Sequence, residues 1–296
     1  MSSVIQDTKA AFLSTGNQMT RHDDRNAGSP QRSGRLKTVV AEASPPVMGN
    51  GTAAGDIQVV GRCGEIFRLF SPTRTSLRPA ELEAELGMQR STAHRYLSSL
   101  VAAGFLERAD DGAYAPGPLL VQVGTIALDS RRVLDVADPY LRRLASEVHE
   151  TTVLSLWGGL GPIVARVIED MEKVVHIQVR IGTTLAIDSA QGKIFLAYLE
   201  DRTTVARVLA HLPTHLASDL ENQFAQIRSI GLSASTGVAR GVRTIAAPVL
   251  DRRSRIAAAM GVVGTMNTVP EELDSGLAQA LNEAAHGLSQ ELGWGN

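Results

Sequence analysis

The sequence predicts an α+β protein with a small helical module ahead of a larger domain that contains a sheet. Three observations carry this. Residues 77–116 read as two short helices, a tight turn and a hairpin; the apolar period turns strand-like at 151; and strand runs return after helices at 189–230, before a last helix at 271–292. At 296 residues the chain is long enough for two domains with separate cores.

Residues 1–54 carry Ser, Gly, Asn and Pro without sustained periodicity and are expected to be a disordered, mildly basic tail. A helix is expected over 57–70, with Val59 or Val60, Ile66, Leu69 and Phe70 turned inward and Ser71-Pro72 ending it. In the next helix Leu82 and Leu86 share a face with Ala84 beside them, and Gly87 stops it. A further helix starts at Ser91 or the residue before and buries Ala93, Tyr96, Leu97 and Leu100. That burial leaves Arg90, Ser91, Thr92, His94, Arg95 and Ser98 facing out, with the hydroxyls at the dipole-positive end, where a phosphate is favoured. Asp110-Asp111-Gly112 has the chemistry of a hairpin turn. Helix, turn, polar-faced helix and hairpin in that order describe a winged DNA-binding module.

From Pro118 the chain is helical again, first as a linker and then as a helix expected to begin near Asp138-Pro139. Three β-rich runs fill 151–181, and helices are expected over 189–199, 203–212 and 217–230. Later strand runs include a pair joined by the polar turn 251–254. The expected domains are 1–54 (tail), 55–117 (winged helix-turn-helix), 118–135 (linker helix) and 136–296 (effector-binding).

Net charge is −2, so DNA binding has to rest on charge distribution. Glu81, Glu83 and Glu85 sit on one helix of the module, and Arg90, His94 and Arg95 on the next. Cys63 is alone, which excludes a disulfide framework and a thiolate metal cage. No apolar run is long enough to cross a bilayer and no signal pattern opens the chain, so no membrane partner and a cytoplasmic location are expected.

Enzyme chemistry finds little support. His211 and His215 have helical metal-pair spacing, but Pro213 separates them; no metal site and no cofactor are expected. Gly192-Lys193 lacks the flanking residues of a phosphate loop, and Ser233 and Ser235 lack a nucleophile elbow. No catalytic constellation emerges. The remaining rival is an adaptor that does not bind DNA.

Residues 57–293 closely resemble the IclR family of bacterial transcription regulators. The resemblance is carried by Arg90 to Leu100, by Gly104-Phe-Leu-Glu-Arg108, by Tyr114-Ala-Pro-Gly-Pro-Leu-Leu120, by Gly192-Lys193, by Ile227-Arg228 with Gly231, and by Gly241 to Val249. It implies a winged helix-turn-helix, a linker helix and a GAF-like mixed sheet with flanking helices. It also implies homodimers or dimers of dimers on palindromic double-stranded operators, most often as repressors, under a small-molecule effector. Helix 57–70 and linker 118–132, with Val121, Ile126 and Leu128, are the expected dimer surfaces.

The departures from the family bear on the effector. Where the family usually has acidic residues, Ala234, Gly237 and Val238 stand, and its Cys is Thr244. Two strand serines that hold small carboxylates in well-known members align with Gly261 and Val263. The expected pocket lies between Leu185, Ile187, Asp188 and Ser189 and the strands carrying Thr244, Gly261 and Val263, with room left at Gly261. Its amides at the helix start would serve at most one carboxylate or carbonyl. A mostly apolar effector with one polar end fits better than a glyoxylate-like or pyruvate-like acid.

Overall fold

The computed structural model describes residues 57–170, 177–236 and 241–295, with the backbone of Val39 and Val40. Val39–Val40 (β1) pairs in parallel with Ile177–Gln178 (β6). The rest of the expected tail lies outside the described residues, as do Gly237 and Val238.

The winged module is built from α1 (Gln58–Arg68), α2 (Pro79–Leu86), α3 (Arg90–Ala102), β2 (Leu106–Arg108) and β3 (Tyr114–Pro116). Pro79 opens α2, and the Glu81 carboxylate accepts the Arg78 N–H at 2.5 Å. Gly87 closes α2 at φ 63°, the left-handed conformation that favours glycine. The hairpin gains a third short partner, because Leu77 and Tyr114 exchange two 2.8 Å backbone bonds. Ile66, Leu77, Leu82, Leu97, Leu106 and Tyr114 form the module's core. Val59 and Val60 do not join it: they are 57% and 66% exposed. They lie in the first turn of α1, ahead of Ile66, where the module's own elements do not cover them. Ala84 is likewise exposed.

α4 (Pro118–Asp129) follows, and α5 (Arg132–Val148) begins earlier than Pro139 suggested. Pro139 sits inside α5 rather than at its start, because Val133, Leu134 and Ala137 ahead of it are drawn into the core. β4 (Thr151–Trp157), β5 (Pro162–Ile168), β7 (Ser233–Thr236), β8 (Val242–Leu250) and β9 (Ile256–Thr265) form one sheet in the order β5-β4-β9-β8-β7. Every junction in it is antiparallel, so the large sheet is not mixed, and among the described residues parallel pairing is confined to the β1–β6 contact. For three junctions the reason is local: β4–β5, β7–β8 and β8–β9 are short-range returns, which run antiparallel, whereas β4–β9 joins distant strands. Of the third expected β-rich run, β6 is the only strand among the described residues.

Side-chain alternation divides the sheet between two cores. Leu154, Ile245, Ala247, Val249, Met260 and Val262 face α5 and α9 (Gly276–Glu291). Ala246 and Ala259 join the core built by α6 (Ala190–Tyr198), α7 (Arg202–Leu209) and α8 (Thr214–Ile230). Beside α6, Val153, Val164, Ile177, Val179, Val242 and Val263 form a third apolar cluster on the sheet. Because both faces are covered, the central strands read as nearly continuous apolar runs. Among the described residues no helix is long and apolar enough to cross a membrane.

Candidate nucleic-acid interface and effector pocket

α3 buries Ala93, Leu97 and Leu100, and its other side stands out in solvent. Arg90, Ser91, His94, Arg95 and Ser98 are exposed and Thr92 is half-buried, which places all six residues on the face away from the core or at its margin. Ser98 Oγ lies 3.3 Å from His94 Nδ1 one turn back. The charge distribution is sharper than the sequence suggested. Arg62 pairs with Glu65, Arg74 with Glu85 and Arg78 with Asp111, whereas Arg90 and Arg95 have no ion-pair partner among the described residues. The acids of the module are therefore partly neutralised within it, and the α3 guanidiniums stay available for phosphate or base edges. On the wing, Arg108 lies over the Tyr114 ring at 5.4 Å from its centroid.

In the second domain the loop after β6 folds against the sheet, and Ser189 caps α6 by accepting the Gly192 N–H at 3.1 Å. Gly192 has a steric reason to be glycine, since a β-carbon there would stand 2.2 Å from the Ile187 carbonyl oxygen. Beside this cap is a small, partly open cavity of about 30 Å³. Leu185, Ser189, Thr244 and Val263 line it, as does Gln191. Val153, Val164, Val179 and Val242 complete an almost wholly aliphatic wall.

Three expected residues do not line this cavity, although Gly261 abuts two that do, Gln191 and Val153. Ile187 is buried in the core around α6, and Asp188 is exposed and does not cap the helix. Gly261 is not open space: a β-carbon there would lie 2.7 Å from Gln191 Nε2 and 3.3 Å from Val153 Cγ2. The glycine admits the Gln191 carboxamide. Sequence reading missed Gln191 because a glutamine on an amphipathic helix ordinarily faces water; its position next to Gly192 was the available signal. Gln191 is fully buried, and its Oε1 accepts the Ser155 hydroxyl at 2.8 Å. Two first-turn amides of α6 are already engaged, Gly192 N with Ser189 and Ala190 N with Ser235 Oγ at 3.0 Å, which limits what the helix start can offer an anion.

Lys193 donates to the Ala234 carbonyl at 3.2 Å, and burial lowers its pKa below the usual ammonium value against the opposing pull of Asp188. His211 and His215 do not share a helix, since α7 ends at Leu209 and α8 begins at Thr214; His211 Nδ1 instead meets the Arg207 carbonyl at 2.6 Å. A wider, polar groove of about 670 Å³ lies between the α4–α5 junction and the β8–β9 turn. Its Asp251 and Asp201 are committed to turn and cap bonds.

Comparison with known proteins decides the relationship. The family model for the bacterial transcriptional regulator IclR C-terminal region matches residues 125–290, and that for the IclR helix-turn-helix domain matches 59–110. The chain belongs to the IclR family. It is an IclR-type transcriptional regulator with a helix-turn-helix DNA-binding domain. Among curated relatives, the HTH-type transcriptional regulator XynR of Escherichia coli K12 is 28% identical over 248 residues, covering 80% of this chain and 98% of the relative. The transcriptional repressor IclR of the same organism is 28% identical over 240 residues, covering 77% and 87%. A solved IclR regulator from Silicibacter sp. TM1040 has the same fold, with a TM-score of 0.69 at 23% identity over 80% of this chain and 96% of that one.

Proposed function

We propose that this IclR-family protein is a repressor whose operator affinity is set by a mostly apolar small molecule with one polar end. The observation that carries it is the largely aliphatic cavity bounded by Leu185, Thr244 and Val263, a site with few polar lining groups. The repressor reading is supported by a relative of that description. The winged module, 55–117, reads DNA through Arg90, Ser91, Thr92, His94, Arg95 and Ser98; the linker, 118–135, joins it to the effector domain, 136–296. A cavity of about 30 Å³ holds a water molecule more readily than a ring, so the effector widens it by displacing side chains such as Leu185.

One winged module reads a short half-site, so useful specificity needs at least two on a palindrome. Val121, Ile126 and Leu128 on α4 are 64%, 62% and 49% exposed, a set of apolar residues that a second copy would cover. Selection from randomised double-stranded DNA, followed by gel shifts at two salt concentrations and a metabolite panel, tests the reading. A two-fold symmetric consensus, affinity that falls with salt, and release by an apolar compound are expected. Salt-independent association without a consensus would favour the adaptor instead.

A further inference from the structure

One lining side chain of the cavity, Gln191, is held in a way that neither packing nor capping explains. Gln191 is completely buried and one half of its carboxamide is satisfied, with Oε1 accepting from Ser155. The other half is not: Nε2 is buried and has no hydrogen-bond partner among the described residues. A buried donor without an acceptor is costly and uncommon in folded proteins. Here the fold makes room for it, since Gly261 faces it from β9 and any larger residue would collide with it. Gly261 lies between Val153 and Ala246 in the sheet register, both apolar, so the sheet brings no acceptor from either neighbour's side chain.

Resting on the effector reading, we propose that Gln191 is the specificity-determining anchor of this pocket, its NH2 group donating to an oxygen of an uncharged ligand. Ser155 fixes the orientation. Its O–H donates to Oε1, which turns Nε2 away from Ser155 and polarises the amide toward stronger donation. The charge of the ligand follows from the rest of the wall. No Lys, Arg or His lines the cavity among the described residues. Ser189 and Ser235 already hold two of the first-turn amides of α6. A carboxylate would therefore be buried against one amide donor and the Ser189 and Thr244 hydroxyls, with no cation to balance its charge, short of what an ion requires. A ketone, ester or lactone carbonyl on a hydrocarbon frame matches one neutral donor in an aliphatic cavity.

The test uses the full chain with four probes: acetophenone, γ-valerolactone, ethylbenzene and benzoate. Thermal shifts and the ¹H–¹⁵N cross-peaks of side-chain amides are recorded, with the Gln191 pair assigned by its loss in Gln191→Met. Acetophenone and γ-valerolactone are expected to raise Tm and move the Gln191 amide protons downfield, with ethylbenzene and benzoate doing neither. In Gln191→Met the preference for acetophenone over ethylbenzene is expected to vanish. If glutamine only fills space, Gln191→Met shifts Tm but leaves the probe ranking as in the wild type, and the proposal falls. Benzoate binding as well as acetophenone would also overturn it, while leaving the pocket itself intact. A wild type that binds its selected operator yet responds to none of the four probes would remove the apolar-effector reading and this assignment together.

Discussion

At the scale of single residues, the proposed DNA reading rests on the arginines of α3 that have no ion-pair partner among the described residues. Arg95 stands about one turn past the start of α3 on its exposed face, and in the proposed function it has the role of a base reader. Arg95→Ala is expected to weaken binding to the selected operator by about 1–3 kcal/mol and to relax the consensus at one position, as a lost bidentate contact would. Arg90→Ala, at the helix start, is expected to weaken all sequences alike and to reduce the salt slope by about one. Repeated selection and salt titration on each variant separate the two roles. Asp251 offers a pH-dependent case. Burial raises its pKa, but bonds from the Arg255 side chain and from the Arg255 and Arg253 amides prevail and hold the carboxyl below its usual value. A depressed folded value means that the stabilisation is present above the unfolded pKa, about 3.9 for Asp, and disappears as pH falls through the lowered one. Asp251→Ala is therefore expected to lower the urea midpoint at pH 7, with the gap to wild type closing in strong acid.

At the scale of elements, α4 is the one whose own sequence and own surroundings disagree. It is strongly apolar, yet no residue in it is buried. Val121, Val123, Ile126 and Leu128 expose apolar surface of the kind that marks an interaction site, which in the proposed function a second copy covers. Val121→Asp combined with Ile126→Asp is expected to convert the protein to a monomer at micromolar concentration. Light scattering reads this, and operator affinity should fall with it, because one module then binds alone. A monomeric wild type would show that α4 serves another contact.

At the scale of the whole molecule, the winged module and the effector domain keep separate cores. Ile66, Leu82 and Leu97 share no buried cluster with the cores of the sheet. Damage to one core should therefore spare the other. Leu97→Ala removes a fully buried side chain, a change that costs roughly 2–5 kcal/mol in a packed core. Calorimetry is expected to show one transition lowered and one unchanged, with DNA binding lost and the ligand-induced shift retained. A single transition moving as a unit would mean that the two domains unfold cooperatively through α4 and α5.

The local patterns of the chain sufficed for the winged module and for the class of the second domain. Gly87, the 3.6-residue spacing of Ala93, Leu97 and Leu100, and the Asp110-Asp111-Gly112 turn act over a few residues, so their outcome is written beside them. The same holds for the outward face of α3, which is what remains once those three residues are buried. The cavity is a different matter. It brings together residues from β4, the loop before α6, α6 itself, β8 and β9, more than a hundred positions apart, and no local period reports which of them meet. Gly261 read as spare room because sequence shows the side chain a residue lacks and not the one that fills its place. Only the register of β4 against β9, with α6 laid across them, put the Gln191 carboxamide there. Pro139 fell inside a helix for a related reason, as burial of Val133, Leu134 and Ala137 outweighed the local preference for a helix start.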